Sequence, residues 1–348
     1  MIVMRVFACA GKRLLLRCLR CCLLLLLFIP VFGQSNSWIK QHSGSLAWLH
    51  SVFFFDQNRG WAVGSKGTLL QTVDGGDNWR PKPQPTVDVL RDIYFLDEQN
   101  GWLVCETNVY ELKEKEDPRT YLMQTTDGGE TWKRVNVLGT DVDGRLVRAV
   151  FSTGGRGWTF GENGAIFTTR DAGLNWTRLH SPTRHLLLGG IFIDQDRGWL
   201  VGAGATIIQT SDGGETWHVS RLPQAIEAAV RFTSASFVDN RIGWTVGSAG
   251  AIYHTENGGR TWQQQRSGVD TDLSDVKFLD SNEGWACGAE GTIIYTSDGG
   301  AHWTRQVTAT AHPLEKIFLR DRNHGWAVGF GGTVVSYVRS ETPKISGR

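Results

Sequence analysis

The chain has 348 residues, with 36 Lys and Arg against 35 Asp and Glu, a formal charge of +1, 42 Gly, 15 Trp and 6 Cys. A balance this even gives no overall electrostatic drive toward nucleic acid. A chain of this length can bury an ample core without disulfide staples.

The charge is unevenly placed. Residues 1–33 hold Arg5, Lys12, Arg13, Arg17 and Arg20 and no acid, then the apolar run Leu23 to Ile29, then Val31-Phe32-Gly33. A basic stretch, an apolar stretch and a small terminal residue describe a signal peptide cleaved after Gly33. The run falls short of the about 20 residues a bilayer span needs, so the mature chain is expected to be exported, to the periplasm, thylakoid lumen or outside, with no transmembrane span. Cys9, Cys18, Cys21 and Cys22 leave with the leader, and their order before the apolar run does not suit a lipoprotein anchor. Five of the 36 basic residues also leave, so 31 remain against 35 acids, a net of −4. Cys105 and Cys287 are expected as two buried free thiols, too far apart to pair.

From residue 34 the sequence repeats. Gly-Trp pairs stand at Gly60, Gly101, Gly157, Gly198, Gly243, Gly284 and Gly325, at steps of 41, 56, 41, 45, 41 and 41 residues. A unit of about 40 to 45 residues suits a four-stranded propeller blade. Each of the first six units also carries an Asp box, Thr-x-Asp-Gly-Gly-x-x-Trp or a relic of it: Asp74 to Trp79, Asp127 to Trp132, Asp171 to Trp176, Asp212 to Trp217, Asn257 to Trp262 and Asp298 to Trp303. In such a hairpin turn the acid accepts from turn amides, the glycines allow positive φ and the Trp anchors the next strand. The expected fold is therefore all-β, a seven-bladed β-propeller of four-stranded antiparallel blades over residues 34–340, with a short tail at 341–348.

The seventh unit ends after Val334 to Tyr337 with no Asp box and no fourth strand, which would leave a long unpaired edge. The missing piece lies at the other end of the chain. Trp38 precedes Gly60 by 22 residues, the commonest spacing from an Asp-box Trp to the next Gly-Trp, and Trp38 to Gly44 matches Trp262 to Gly268 at Trp, Gln, Ser and Gly. Residues 34–44 should complete the last blade and close the ring through Trp38. Trp48 is the one Trp outside the repeat positions.

Within each unit, Leu-x-x-Val-x-Phe-x-Asp marks the inner strand. Asp56, Asp97, Asp194, Asp239, Asp280 and Asp321 recur four residues before a Gly-Trp glycine and are read as turn caps, since a catalytic acid would be unique. The large length changes, around Asn108 to Thr120, Asn136 to Arg145 and Ser220 to Ala229, all fall in links at one face of the ring. The inner strands begin at that same face, with His50, Arg91, Asp92, Arg148, Arg231, Asp275, Glu315 and Lys316. Loops and rims held by a rigid scaffold are where binding surfaces ride, so His50, Arg91, Asp92, Arg148, Arg231 and Lys316 are the candidate partner-binding residues. Asp270, Asp272 and Asp275 are read as a solvated acidic loop.

No catalytic signature is present: there is no Gly-x-Ser-x-Gly, Gly-x-Gly-x-x-Gly, Walker loop or His-Glu-x-x-His, and the nine His are scattered. No catalytic residue, cofactor or metal is expected.

The stretches Leu90-Arg-Asp-Ile-Tyr-Phe-Leu-Asp97 and Gly-Trp-Ala-Val-Gly (Gly60 to Gly64, Gly325 to Gly329), with the Asp boxes, resemble the photosystem II stability and assembly factor family over nearly the whole mature chain. That resemblance implies an exported, non-catalytic seven-bladed propeller that binds newly made reaction-centre subunits, including the D1 precursor, in the thylakoid lumen. It also implies a partner-binding arginine patch, whose counterparts by position are Arg91, Arg148 and Arg231, with Leu188, Thr233 and Glu315 at other first-strand positions. The expected function is thus a monomeric protein-binding scaffold or assembly factor. The alternative is a glycan-binding or sialidase-type propeller, which would need an arginine triad or two suitably separated carboxylates. A purely structural envelope domain is the third.

Overall fold

The computed structural model describes residues 37–107, 119–135, 144–152, 154–222 and 230–338. The expected leader, the tail and most of the three insertions lie outside these residues.

Seven sheets stand around a central channel. Blade 6 shows the unit: Leu273–Phe278 lines the channel, and Gly284–Gly288, Ile293–Thr296 and Thr304–Arg305 follow outward in antiparallel order. Six blades have four strands in this order. Blade 7 supplies Leu314–Leu319, His324–Gly329 and Val334–Val338, and the N-terminal strand Ser37–Gln41 pairs antiparallel with the last of these, Ile39 opposite Ser336. The ring is closed by strands from both ends of the chain, as the register of Trp38 requires. A fifth strand, Val307–Thr308, runs parallel to Ser37 and Trp38; the period does not foretell it, because it belongs to the link between blades 6 and 7.

The match between the two Trp-Gln-Ser-Gly segments is a match of wiring. Gln265 donates through Nε2 to the Gly299 carbonyl at 2.9 Å and accepts from Trp303 Nε1 at 3.3 Å. Gln41 does the same at the closing junction, donating to Gly75 O at 3.0 Å and accepting from Trp79 Nε1 at 3.4 Å. The N-terminal strand therefore joins blade 7 to blade 1 in the way that the outer strand of blade 5 joins its sheet to blade 6.

Each Gly-Trp pair does two jobs. The Trp is buried, and in four junctions it stacks closely on the inner-strand Phe of the next blade: Trp158 on Phe192 at 3.5 Å, Trp199 on Phe237 at 3.6 Å, Trp244 on Phe278 at 3.5 Å, and Trp326 on Phe54 across the closure at 3.6 Å; Trp285 faces a blade with Leu319 at that position. The indole N–H of these four donates to an Asp-box glycine carbonyl of that next blade, for example Trp244 to Gly299 at 3.0 Å. The preceding Gly makes room for its own blade's Phe: a Cβ on Gly243 would lie 2.4 Å from the Phe237 ring. Offset-stacked pairs of this kind add about 0.5–1.5 kcal/mol beyond their burial.

Asp boxes are wired alike. Asp74 Oδ1 accepts from Thr72 Oγ1 at 2.8 Å and the Asn78 amide at 2.9 Å, while Thr72 Oγ1 accepts from the Gly76 amide. The degenerate copies at Asp171 and Asn257 keep these bonds, with Ala172 taking positive φ where the other boxes have glycine. Asp56, Asp97, Asp194, Asp239, Asp280 and Asp321 each accept two turn amides through Oδ1. Cys105 and Cys287 are free and buried. Among the described residues no helix is long and apolar enough to cross a membrane.

Candidate functional site

All seven inner strands begin with the same irregularity. Pairing with the second strand slips by one residue at His50, Arg91, Val147, Leu188, Thr233, Ser274 and Glu315. A β-bulge inserts one unpaired residue and re-aims its side chain. Six of these seven bulged residues, His50 being the exception, line a cavity of about 280 Å³ at the channel mouth, together with Glu106, Arg145, Arg148 and Arg231. The sequence carries the signal in Leu-x-x-Val: two residues, not one, separate the first buried apolar side chains in six of the inner strands, Leu49 and Val52, Leu90 and Ile93, Leu146 and Ala149, Phe232 and Ala235, Leu273 and Val276, and Leu314 and Ile317.

The arginines of the mouth are partnered. Arg91 Nε donates to Glu106, whose carboxylate also lies 3.7 Å from Arg145. Arg145 and Arg119 both meet Glu162, at 3.4 and 3.3 Å. Arg231 faces Asp272 at 3.3 Å and its side chain is 51% exposed, against 31% for Arg91. Glu106, Arg119, Arg145 and Glu162 were not among the sequence candidates, because they stand on second strands and links where no repeat singles them out.

One residue deeper lies a layer of buried charge. Arg148 approaches Asp275 at 3.6 Å, and Lys316 reaches the other carboxylate oxygen at 3.7 Å. Asp275 also accepts from Ser234 Oγ at 2.5 Å and from the Ile317 amide at 3.1 Å. Asp92, also buried, accepts from Ser51 Oγ at 2.6 Å. Burial alone would push the Asp275 carboxyl up, yet Lys316, Arg148 and the two donors hold it below the usual carboxylate range. Asp275 is thus no part of a solvated loop: it is 3% exposed, because the bulge at Ser274 returns it to the channel-facing register. Nor do Asp270, Asp272 and Asp275 form a metal cluster, and no such cluster occurs among the described residues.

His50 stands apart from the cavity. Its ring stacks on Trp48 at 5.7 Å and its Nε2 meets Ser65 Oγ at 3.3 Å. Burial first, and the charge of Arg91 second, lower its pKa to about 3, so it is neutral at physiological pH. Burial conversely raises Glu315, which sits within reach of Arg148, Arg91 and Trp48. Of the six candidates, then, Arg91 and Arg231 present charge at the mouth, Asp92, Arg148 and Lys316 sit inside the channel, and His50 packs beside it.

The family described as photosynthesis system II assembly factor YCF48 matches the sequence at residues 83–185, 179–268 and 265–338. This chain is a member of the YCF48 family. Among curated relatives, the chloroplastic photosystem II stability/assembly factor HCF136 of Arabidopsis thaliana is 27% identical over 125 residues, 35% of this chain and 28% of that protein. HCF136 of Guillardia theta is 40% identical over 63 residues, 17% of this chain and 16% of its own. The matched segments thus span less than a third of either relative. Among solved structures, YCF48 bound to a D1 peptide superposes with a TM-score of 0.72 at 22% identity, over 90% of this chain and 99% of that one. YCF48 from Cyanidioschyzon merolae gives 0.69 at 20% identity, over 86% and 98%. A GH74 enzyme from Niastella koreensis shares the propeller at 13% identity with a TM-score of 0.63, over 86% of this chain and 53% of its own.

Proposed function

We propose that this YCF48-family chain is an exported, non-catalytic assembly factor whose channel mouth docks an extended segment of a photosystem II reaction-centre subunit. The observation that carries the reading is the ring of seven bulges, which turns unlike side chains out of a uniform scaffold at one face only. Arg91, in this ring, and Arg231, beside the bulge at Thr233, are the groups best placed to meet a partner, being part-exposed and bridged to carboxylates that a partner's acid can replace. A solved relative bound to a D1 peptide supports the class of partner.

Scaffold rather than glycosidase chemistry is favoured by the state of the mouth carboxylates. Glu106 is ion-paired with Arg91 and Arg145, Asp275 is held by Arg148 and Lys316, and Asp92 is bonded to Ser51. A glycosidase needs one carboxyl free to donate and a second free to attack or to activate water, and Glu315, which burial raises, has only these committed carboxylates around it at the mouth. The test is capture of the tagged mature chain from its own host with crosslinking: links from the mouth to reaction-centre subunits support the proposal, and links to other exported proteins alone overturn it.

A further inference from the structure

Below the layer of buried charge, the channel opens into a chamber of about 290 Å³ walled by Phe53, Tyr94, Val150, Ile191 and Phe318. Three cations also line it: Arg148 and Lys316, which reach Asp275, and Lys277 from the inner strand of blade 6. Among the described residues the Lys277 ammonium makes no hydrogen bond or ion pair. The two carboxylates of the chamber are committed elsewhere: Asp275 to Arg148, Lys316, Ser234 and Ile317, and Asp92 to Ser51. Three cations thus face two acids, and Lys277 is the one with no carboxylate at ion-pair distance, Asp275 attracting it only from farther away.

We propose that this chamber is a binding site for a small carboxylate carrying a short apolar group, its head on Lys277 and its alkyl part against Ile191 and Phe318. Lys277 is part-buried, and an ammonium that has lost some of its water without gaining a paired carboxylate is costly; an anion beside it lowers that cost. Burial first and the repulsion of Lys316 second lower the Lys277 pKa, and an anion lying near both amines answers each cause. The wall selects the class of anion. Phosphate or sulfate demands several free donors; Arg148, Lys316 and Ser234 are held by Asp275, so the one unpaired ammonium beside aromatic and branched side chains matches one carboxylate with a hydrocarbon tail. The site shares only Arg148 with the lining of the mouth and includes neither Arg91 nor Arg231, so its fate does not decide the docking proposal.

The probe is butyrate, with butyramide and chloride at matched ionic strength, read by calorimetric titration and by thermal melting of the mature chain at pH 7. Saturable heat and a melting point raised by a few degrees are expected with butyrate only, since a ligand that binds the native state alone stabilises it by mass action. Lys277→Met should abolish both signals and melt higher than wild type without butyrate, while Lys277→Arg should keep them. Equal responses of wild type and Lys277→Met, an equal response to chloride, or no response to butyrate each overturn the proposal. Should Lys277→Met fail to fold, Lys277→Gln takes its place, read by line broadening of ¹³C-butyrate. Broadening by wild type and none by Lys277→Gln supports the site, and equal broadening by both overturns it.

Discussion

Arg148 of blade 3 and Asp275 of blade 6 meet across the channel, Nη1 to Oδ1 at 3.6 Å, both side chains largely buried. The contact ties opposite sides of the ring beneath the mouth. Breaking one side of a buried pair leaves an uncompensated charge at about 3–5 kcal/mol, whereas removing both is far cheaper. Asp275→Asn, which strands both Arg148 and Lys316, should destabilise more than Arg148→Met, which leaves Asp275 its Lys316 partner, and the double variant should cost less than the sum of the two, in urea melts. Additive losses would mean the pair does not couple the blades.

Closure by the N-terminal strand rests on Trp38, 1% exposed and packed on Tyr337 at 5.4 Å. Trp38→Ala should cost about 3–5 kcal/mol, the range for emptying a buried aromatic site. Deleting residues 37–44 should lower the melting point further by exposing the edge of blade 7. An unchanged melt in either variant would contradict the closure.

Gly243→Ala puts a methyl 2.4 Å from the Phe237 ring, which is stacked on Trp199, and should cost about 1–3 kcal/mol or more through overpacking. Ala at Gly268 meets nothing within 4 Å and pays only for its positive φ, so it should cost about 1 kcal/mol. Equal losses at the two sites would contradict the packing role of the Gly-Trp glycine.

The Asp boxes predict acid sensitivity. The Thr131 hydroxyl and amide hold the Asp127 carboxyl at about 2, and His302 does the same for Asp298, against an ordinary value of 3.8. A depressed folded pKa contributes stability that is present above the unfolded value and lost as the pH falls from near 4 through 2. Denaturant melts between pH 5 and 2.5 should show that loss in wild type, and a smaller one in the Asp127→Asn/Asp298→Asn variant. Asn257 already fills such a turn without titrating. Identical slopes would count against the boxes as the titrating groups.

Cys105 and Cys287 are buried, and desolvation pushes both thiols up. A thiol reagent should leave the folded mature chain unlabelled and modify both residues after unfolding, because only the thiolate reacts.

Much of the architecture was legible because it repeats. The Gly-Trp period sets the blade count, and the 22-residue spacing from Trp38 places the closing strand, since both reflect local packing that each blade must solve alike. What escaped is what does not repeat. The partners of Arg91, Arg145 and Arg231 come from other strands or neighbouring blades, and Asp275 is buried by a one-residue slip that looks, in sequence, like an acidic loop. Lys277 reads as an ordinary polar alternation in an inner strand until the ring places five apolar side chains around it.

The central claim is tested most directly by fluorescence anisotropy of a labelled D1 peptide titrated with the mature chain and with Arg91→Gln/Arg231→Gln. Binding to wild type, with at least a tenfold loss in the variant at an unchanged melting point, is the predicted result. Equal affinity for both proteins, or no binding to wild type, would contradict it.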